Sequence, residues 1–224
     1  MSQILFNGIS LGAVYALVAV GFCLVFSILK FTNFAHGAMI SISAFIGYFA
    51  SVQFKLGLFG TLVFAMLGGA LVGVVGEFIA FRSITKRSSS VFYYFVSSLT
   101  WGVFLEQLIT LKVGSTFMSY PRFFKSLVIR FGKEKNLVVS TVDVYMLVSA
   151  LIALGLLFFF INKTKFGRAI RAASLDRDTA YLMGIDVYRV IQIVFMLAGV
   201  MAGLGGVFLG ITYTLTAQLG SKIV

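Results

Sequence analysis

The chain has 224 residues, of which 60% are hydrophobic, 16% aromatic and only 11% charged, with a formal net charge of +11. About a quarter of the residues of an ordinary soluble domain are charged, so this composition leaves too little polar surface to cover a water-soluble core. It specifies an all-α, polytopic transmembrane helical bundle. The excess of Lys and Arg suits loops facing anionic lipid rather than nucleic acid, for which no basic-aromatic module is present.

In chain order, six hydrophobic segments are expected, at 4–29, 34–54, 58–81, 91–111, 144–161 and 191–213. Several of them approach or exceed the roughly 20 apolar residues that carry a helix across a bilayer. The first contains no ionisable side chain before Lys30 and so lacks the basic start of a secretory signal, which makes it a retained helix. Its Cys23 is the only cysteine, so there is no disulfide framework or thiol-metal cluster, and the residue reads as small apolar packing. Two connections are long. The one at 112–143 reads as an extramembrane loop with the strand-like patch "NLVVSTV", and the one at 162–190 is a charged, helix-like block.

Small residues recur at helical spacing: Gly8 and Gly12, Gly69 and Gly73, Gly199 and Gly203, Gly206 and Gly210. Such stripes let helix backbones approach closely in lipid, where the hydrophobic effect no longer drives helices together. Packing within one subunit is their default use, with contact between copies as the alternative. Frequent glycine also permits broken helices around a transport path.

Few side chains could carry chemistry. His36 is the only histidine and "NFAHG" at 33–37 offers it no neighbouring carboxylate or thiol, so neither metal binding nor general acid-base work is supported. Asn33, His36 and Gly37 are therefore candidates for a helix break or for the translocation path. Glu77 is close enough to Arg82 to pair with it, Glu106 faces either the bundle or a boundary, and Trp101 suits an interfacial position. No Walker A pattern is present, since "FGKEK" lacks both the spacing and the following Ser or Thr. An intramembrane enzyme has no nucleophile-base set to work with, and no cofactor site is expected in this chain.

The block at 163–189 holds nine of the 25 charged residues. Phe166, Ala169, Ile170 and Ala173 recur at three- and four-residue steps, opposite Arg168 and Arg171. Asp176 or Asp178 can cap a second short helix, and Gly184 can end it in a left-handed conformation. Asp186 follows as a possible cap for the last span. Two short amphipathic helices outside the bilayer have two uses, resting on headgroups or docking in a partner's groove.

The motifs "NFAHG" at 33–37, "GEFIAFRS" at 76–83 and "GRAIRAASLDRDTAYLMGID" at 167–186, with their surroundings over nearly the whole chain, resemble the permease subunits of branched-chain amino acid-type ABC transporters. The resemblance implies a single permease domain over 1–224. Its coupling loop at 162–190 would be cytoplasmic and would seat against an ATPase through Arg168, Arg171, Asp176, Asp178, Ala180 and Gly184. It implies cytosolic ATPase subunits that hold ATP and Mg, a second permease subunit, an external solute-binding protein, and a multi-pass place in the bacterial inner membrane. Family permeases continue past the match at "GVFLG", which points to a C-terminally incomplete chain. An ATP-independent carrier or channel is the alternative, although no internal repeat supports it. An inactive permease fragment is another.

Overall fold

The computed structural model describes residues 2–87, 90–114, 116–121, 123, 128–131 and 137–223. Its long helices are α1 (Ser2–Leu29), α2 (Ala35–Gln53), α3 (Leu58–Gly76), α5 (Val91–Val113), α6 (Thr141–Lys163) and α9 (Val187–Thr212). A π-helical turn, Glu77–Phe81, and the short α4 (Arg82–Lys86) prolong α3, while α7 (Lys165–Leu175) and α8 (Arg177–Leu182) lie between α6 and α9. Among the described residues five helices are long and apolar enough to span a membrane: α1, α2, α3 with its extension, α6 and α9. The expected segment at 91–111 does form a helix, α5, but its Ser, Thr, Glu and Gln side chains keep it out of that set. Much of the 112–143 connection lies outside the described residues. Within it, β1 (Val128–Phe131) pairs antiparallel with β2 (Leu137–Ser140), and α6 begins directly afterwards at Thr141.

Helix α9 is the centre of the bundle, with α1, α2 and α3 packed around it, α6 against α1, and α5 against α2. The closest pair is α3 and α9. A Cβ added to Gly69 would lie 2.1 Å from the Gly199 carbonyl oxygen, and one on Gly199 would lie 2.0 Å from that of Gly69. One turn away on either side, Gly73 meets the Phe195 carbonyl at 2.2 Å and Gly203 meets that of Ala65 at 2.2 Å. Only hydrogen fits at these positions, so the glycine stripes at 69/73 and 199/203 interlock within one chain. Gly8 and Gly12, by contrast, sit on the outer face of α1, where an added Cβ would meet nothing within 4 Å among the described residues. Cys23 is also exposed rather than packed.

Irregular backbone is built into the bundle at several points among the described residues, and two of them illustrate how it finds partners. The π turn buries Glu77 and Phe81, and the Ala80 carbonyl accepts a 2.6 Å hydrogen bond from Ser97 Oγ on α5. Apolar surroundings cannot solvate a backbone group released in this way, so a neighbouring hydroxyl must do it. After α9 the chain folds back: Leu215 pairs with Met118 in an isolated antiparallel bridge, and Gly220 N donates to Ser41 Oγ at 2.9 Å. There Gly37 and Gly220 are in backbone contact, and the Ser221 hydroxyl donates to Glu106.

Gly199→Ala is therefore expected to destabilise the folded protein by about 3 kcal/mol or more, because backbone cannot yield as a side chain can. Gly12→Ala, with open space around its new methyl group, should stay within about 0.5 kcal/mol of the native chain. Thermal unfolding of both variants in the same detergent checks the pair.

Candidate functional site

The block at 163–189 folds into a helical hairpin at one end of the bundle, the end that also carries Lys30 and Arg82–Arg87. Thr164 starts it. Its hydroxyl accepts from Gly167 N at 3.0 Å and donates to the Phe160 carbonyl at 2.7 Å, turning the chain out of α6 into α7. Asp176 then caps α8, accepting from the backbone of Asp178 at 2.9 Å and Thr179 at 3.2 Å and from Thr179 Oγ1 at 2.7 Å. The Thr179 hydroxyl and these two amides hold its carboxyl below the usual aspartate range. Gly184, at φ +81°, ends α8, and Ile185 N donates to the Ala180 carbonyl. Asp186 accepts from Arg189 N at 3.2 Å and pairs with its guanidinium at 2.9 Å, which starts α9.

The inward face of α7 is Gly167, Ile170 and Ala173. Phe166, which the spacing placed in the apolar stripe, is instead 55% exposed. The cause is local: α7 crosses the end of α6 so closely that a Cβ on Gly167 would lie 2.1 Å from the Ile161 carbonyl oxygen. The residue that faces inward there has to be glycine, and the stripe turns accordingly.

The polar residues of the hairpin divide by location. Arg168 and Asp178 are exposed and Ala180 is buried. Arg171 reaches back to the Ile161 carbonyl and, at 3.4 Å, to Asn162 Oδ1. Arg177, which the sequence did not single out, donates from Nε to the Ile28 carbonyl of α1 at 2.6 Å. The outer surface is apolar. Leu175, Leu182 and Met183 are 87%, 83% and 79% exposed, with Tyr181 beside them. Sequence reading passed over these four as ordinary helix residues, although large apolar side chains in a segment outside the spans were the available signal. A groove of about 620 Å³ separates the hairpin from Thr85, Lys86, Val91 and Tyr94.

The second candidate region is the "NFAHG" turn. α1 ends at Leu29, Lys30 adopts a left-handed φ of +55°, and the chain re-enters the bundle without helix before α2 starts at Ala35. Asn33 Oδ1 accepts from Ala35 N at 3.1 Å and its carbonyl accepts from His36 N at 3.2 Å, so Asn33 organises the start of α2. His36 is fully buried between Gly21 of α1 and α9, with Phe22 edge-on at 5.9 Å. Neither ring nitrogen makes a well-formed side-chain hydrogen bond, and the Val18 carbonyl borders the ring. Glu77 is buried with Arg82 at 3.6 Å. Trp101 is buried against a neighbouring helix, and its indole nitrogen closes on Gly76. At the opposite end of the bundle, a cavity of about 510 Å³ is lined by Tyr120, Pro121, Thr212 and Tyr213.

Comparison with known proteins places this arrangement. The family described as the permease component of the branched-chain amino acid transport system matches residues 4–222. The high-affinity branched-chain amino acid transport system permease protein LivH of Escherichia coli is 30% identical over 94% of this chain and 71% of its own. BraD of Pseudomonas aeruginosa, named for the same kind of system, is 25% identical over the same shares. The D-allose transport system permease protein AlsC of Escherichia coli is 29% identical over 85% of this chain and 54% of its own. No solved structure matches. The chain belongs to the branched-chain amino acid transport system permease family, and it is a multi-pass membrane protein.

The cap geometry carries its own pH dependence. The folded-state pKa of Asp176 is depressed, so its stabilisation of α8 is present above the ordinary aspartate value of about 4 and is lost as pH falls through the lower folded value. Protection factors at the Asp178 and Thr179 amides, with the intrinsic pH dependence of exchange divided out, should hold at pH 5 and fall only once the pH passes well below the ordinary aspartate value of about 4. Gly184→Ala should cost about 1 kcal/mol locally, because alanine strains at positive φ, and should accelerate exchange in α8 at every pH.

Proposed function

We propose that this chain is the membrane-spanning permease subunit of an ATP-driven importer, and that the α7–α8 hairpin is where a cytosolic ATPase docks. The observation that carries the reading is the exposed apolar tip, Leu175, Tyr181, Leu182 and Met183, on an ordered hairpin between two spanning helices. Water penalises such a surface, and a hydrophobic groove on a partner relieves that penalty. The hairpin end then faces the cytoplasm and the cavity near Tyr120 faces the outside, where a solute-binding protein would deliver its cargo. ATP and Mg belong to the partner, and a second permease subunit completes the path across the bacterial inner membrane.

The names of LivH and BraD support a branched-chain amino acid as the solute, while AlsC, named for D-allose, keeps related small polar solutes in view. Transport in this scheme is mechanical. Nucleotide-driven movement of the ATPases displaces α7 and α8, the displacement enters α9 directly through the Asp186-capped junction, and the bundle opens alternately to the two sides. Arg168 and Asp178 are the exposed charges that would flank the docked tip. The Asn33–Gly37 turn, where α2 starts inside the bundle beside α9, is the proposed helix break on the path.

The test is a mild-detergent pull-down from native membranes with mass spectrometry of the retained proteins. The native chain should retain an ATPase. Leu182→Glu, which places a charge on the apolar tip, and Gly184→Arg, which adds bulk and backbone strain at the end of α8, should lose it while remaining folded. A folded native chain that retains no ATPase would overturn the reading.

A further inference from the structure

The last carbonyls of a helix have no partner within the helix and form the negative end of its dipole, so a cation placed there binds strongly. Two spanning helices, α1 and α6, end at the base of the hairpin, and each receives one of its arginines. Arg177 donates to the Ile28 carbonyl, one residue before α1 ends, and Arg171 donates to the Ile161 carbonyl in the last turn of α6. The two arginines are six residues apart, on either side of the α7–α8 junction at Asp176, so one small unit reaches two helix ends in different directions. On its other side the unit meets the groove of about 620 Å³ rather than packing against α4 and the start of α5.

We propose that Arg171 and Arg177 are positioning residues that clamp the hairpin to the ends of α6 and α1, making these helices and the hairpin one mechanical body. The inference rests on the reading that the hairpin seats an ATPase, and it adds where the force goes. Without the clamps, a push on α7–α8 is transmitted covalently, through the chain into α6 and α9, while α1 has only side-chain packing to follow it. With them, α1 is drawn along by a charge-assisted bond at its end, and the groove is the space into which the body moves. Arg171, although exposed, therefore spends its guanidinium on the end of α6.

The test uses the full transporter complex in proteoliposomes with leucine as the transported probe. Arg177→Ala should still recover the ATPase and hydrolyse ATP, but leucine delivered per ATP should fall about tenfold, the loss of one hydrogen bond to a charged group. Arg177→Lys keeps a cation within reach of the Ile28 carbonyl and should restore most of the delivery. Spin labels at Phe26→Cys and Ser174→Cys, in a Cys23→Ser background, read the same body without any solute. Their distance should be unchanged between the nucleotide-free and the ATP–vanadate-trapped native complex, and should shift or broaden on trapping when Arg177 is alanine. Unchanged delivery in Arg177→Ala overturns the clamp, as does loss of the ATPase from that variant alone. A label distance that changes in the native complex also overturns it. Absence of the ATPase from the native complex overturns the docking reading and the clamp together, so the two failures are told apart by which preparation shows them.

Discussion

Helices in a bilayer gain nothing from hiding apolar surface from each other, because lipid is as apolar as they are, so what holds them is the closeness of their approach. In this chain the approach is closest between α3 and α9, where Gly69 and Gly199 meet backbone to backbone and Gly73 and Gly203 extend the contact by a turn in each direction. The antiparallel register of these two helices follows from that match, since a shift by one residue would drive a side chain into a carbonyl. α2 joins the same seam through Gly206, which faces the Ile40 carbonyl, and through Ser43, which borders Gly69. With three helices held this way, α9 becomes central, and the hairpin that precedes it inherits a rigid base.

A bundle held by backbone contact can tolerate irregular backbone only where another part of the chain satisfies the groups that it releases. Breaks among the described residues have such partners. Ser97 serves the Ala80 carbonyl beside the π turn, and Asn33 serves the first amides of α2. Inside the regular part of α2, Tyr120 adds a 2.6 Å hydrogen bond to the Ala44 carbonyl, and burial holds its phenol well above the usual range. The helix that enters the bundle at Ala35 is thus held by Asn33 at its start and by Tyr120 at its middle.

The hairpin divides its side chains between the fold and its open surface. Several of its charged residues are spent on the fold: Asp176 and Asp186 cap helices, and Arg171 and Arg177 bind helix ends. Its tip is left apolar and open. Such a surface suits the groove of a protein partner, which is the occupant we propose.

Composition and spacing alone determined the helical membrane class, the approximate place of each long helix, the paired short helices of the hairpin and the motifs that tie the chain to its family. These features are written in local periodicity and in side chains whose conformational preferences act within a few residues, as at Asp176 and Gly184. The glycine pairs were legible as stripes, but spacing could not say that 69/73 and 199/203 face each other while 8/12 face outward, because that depends on which helices become neighbours. For the same reason the sequence put Cys23 in the packing and Phe166 in the stripe. In the fold, Cys23 lies on the open side of α1, and the crossing at Ile161 turns Phe166 outward. Arg177 shows the limit most plainly, since its partner, the Ile28 carbonyl, is 149 residues away in the chain and is exposed to it only by the ending of another helix.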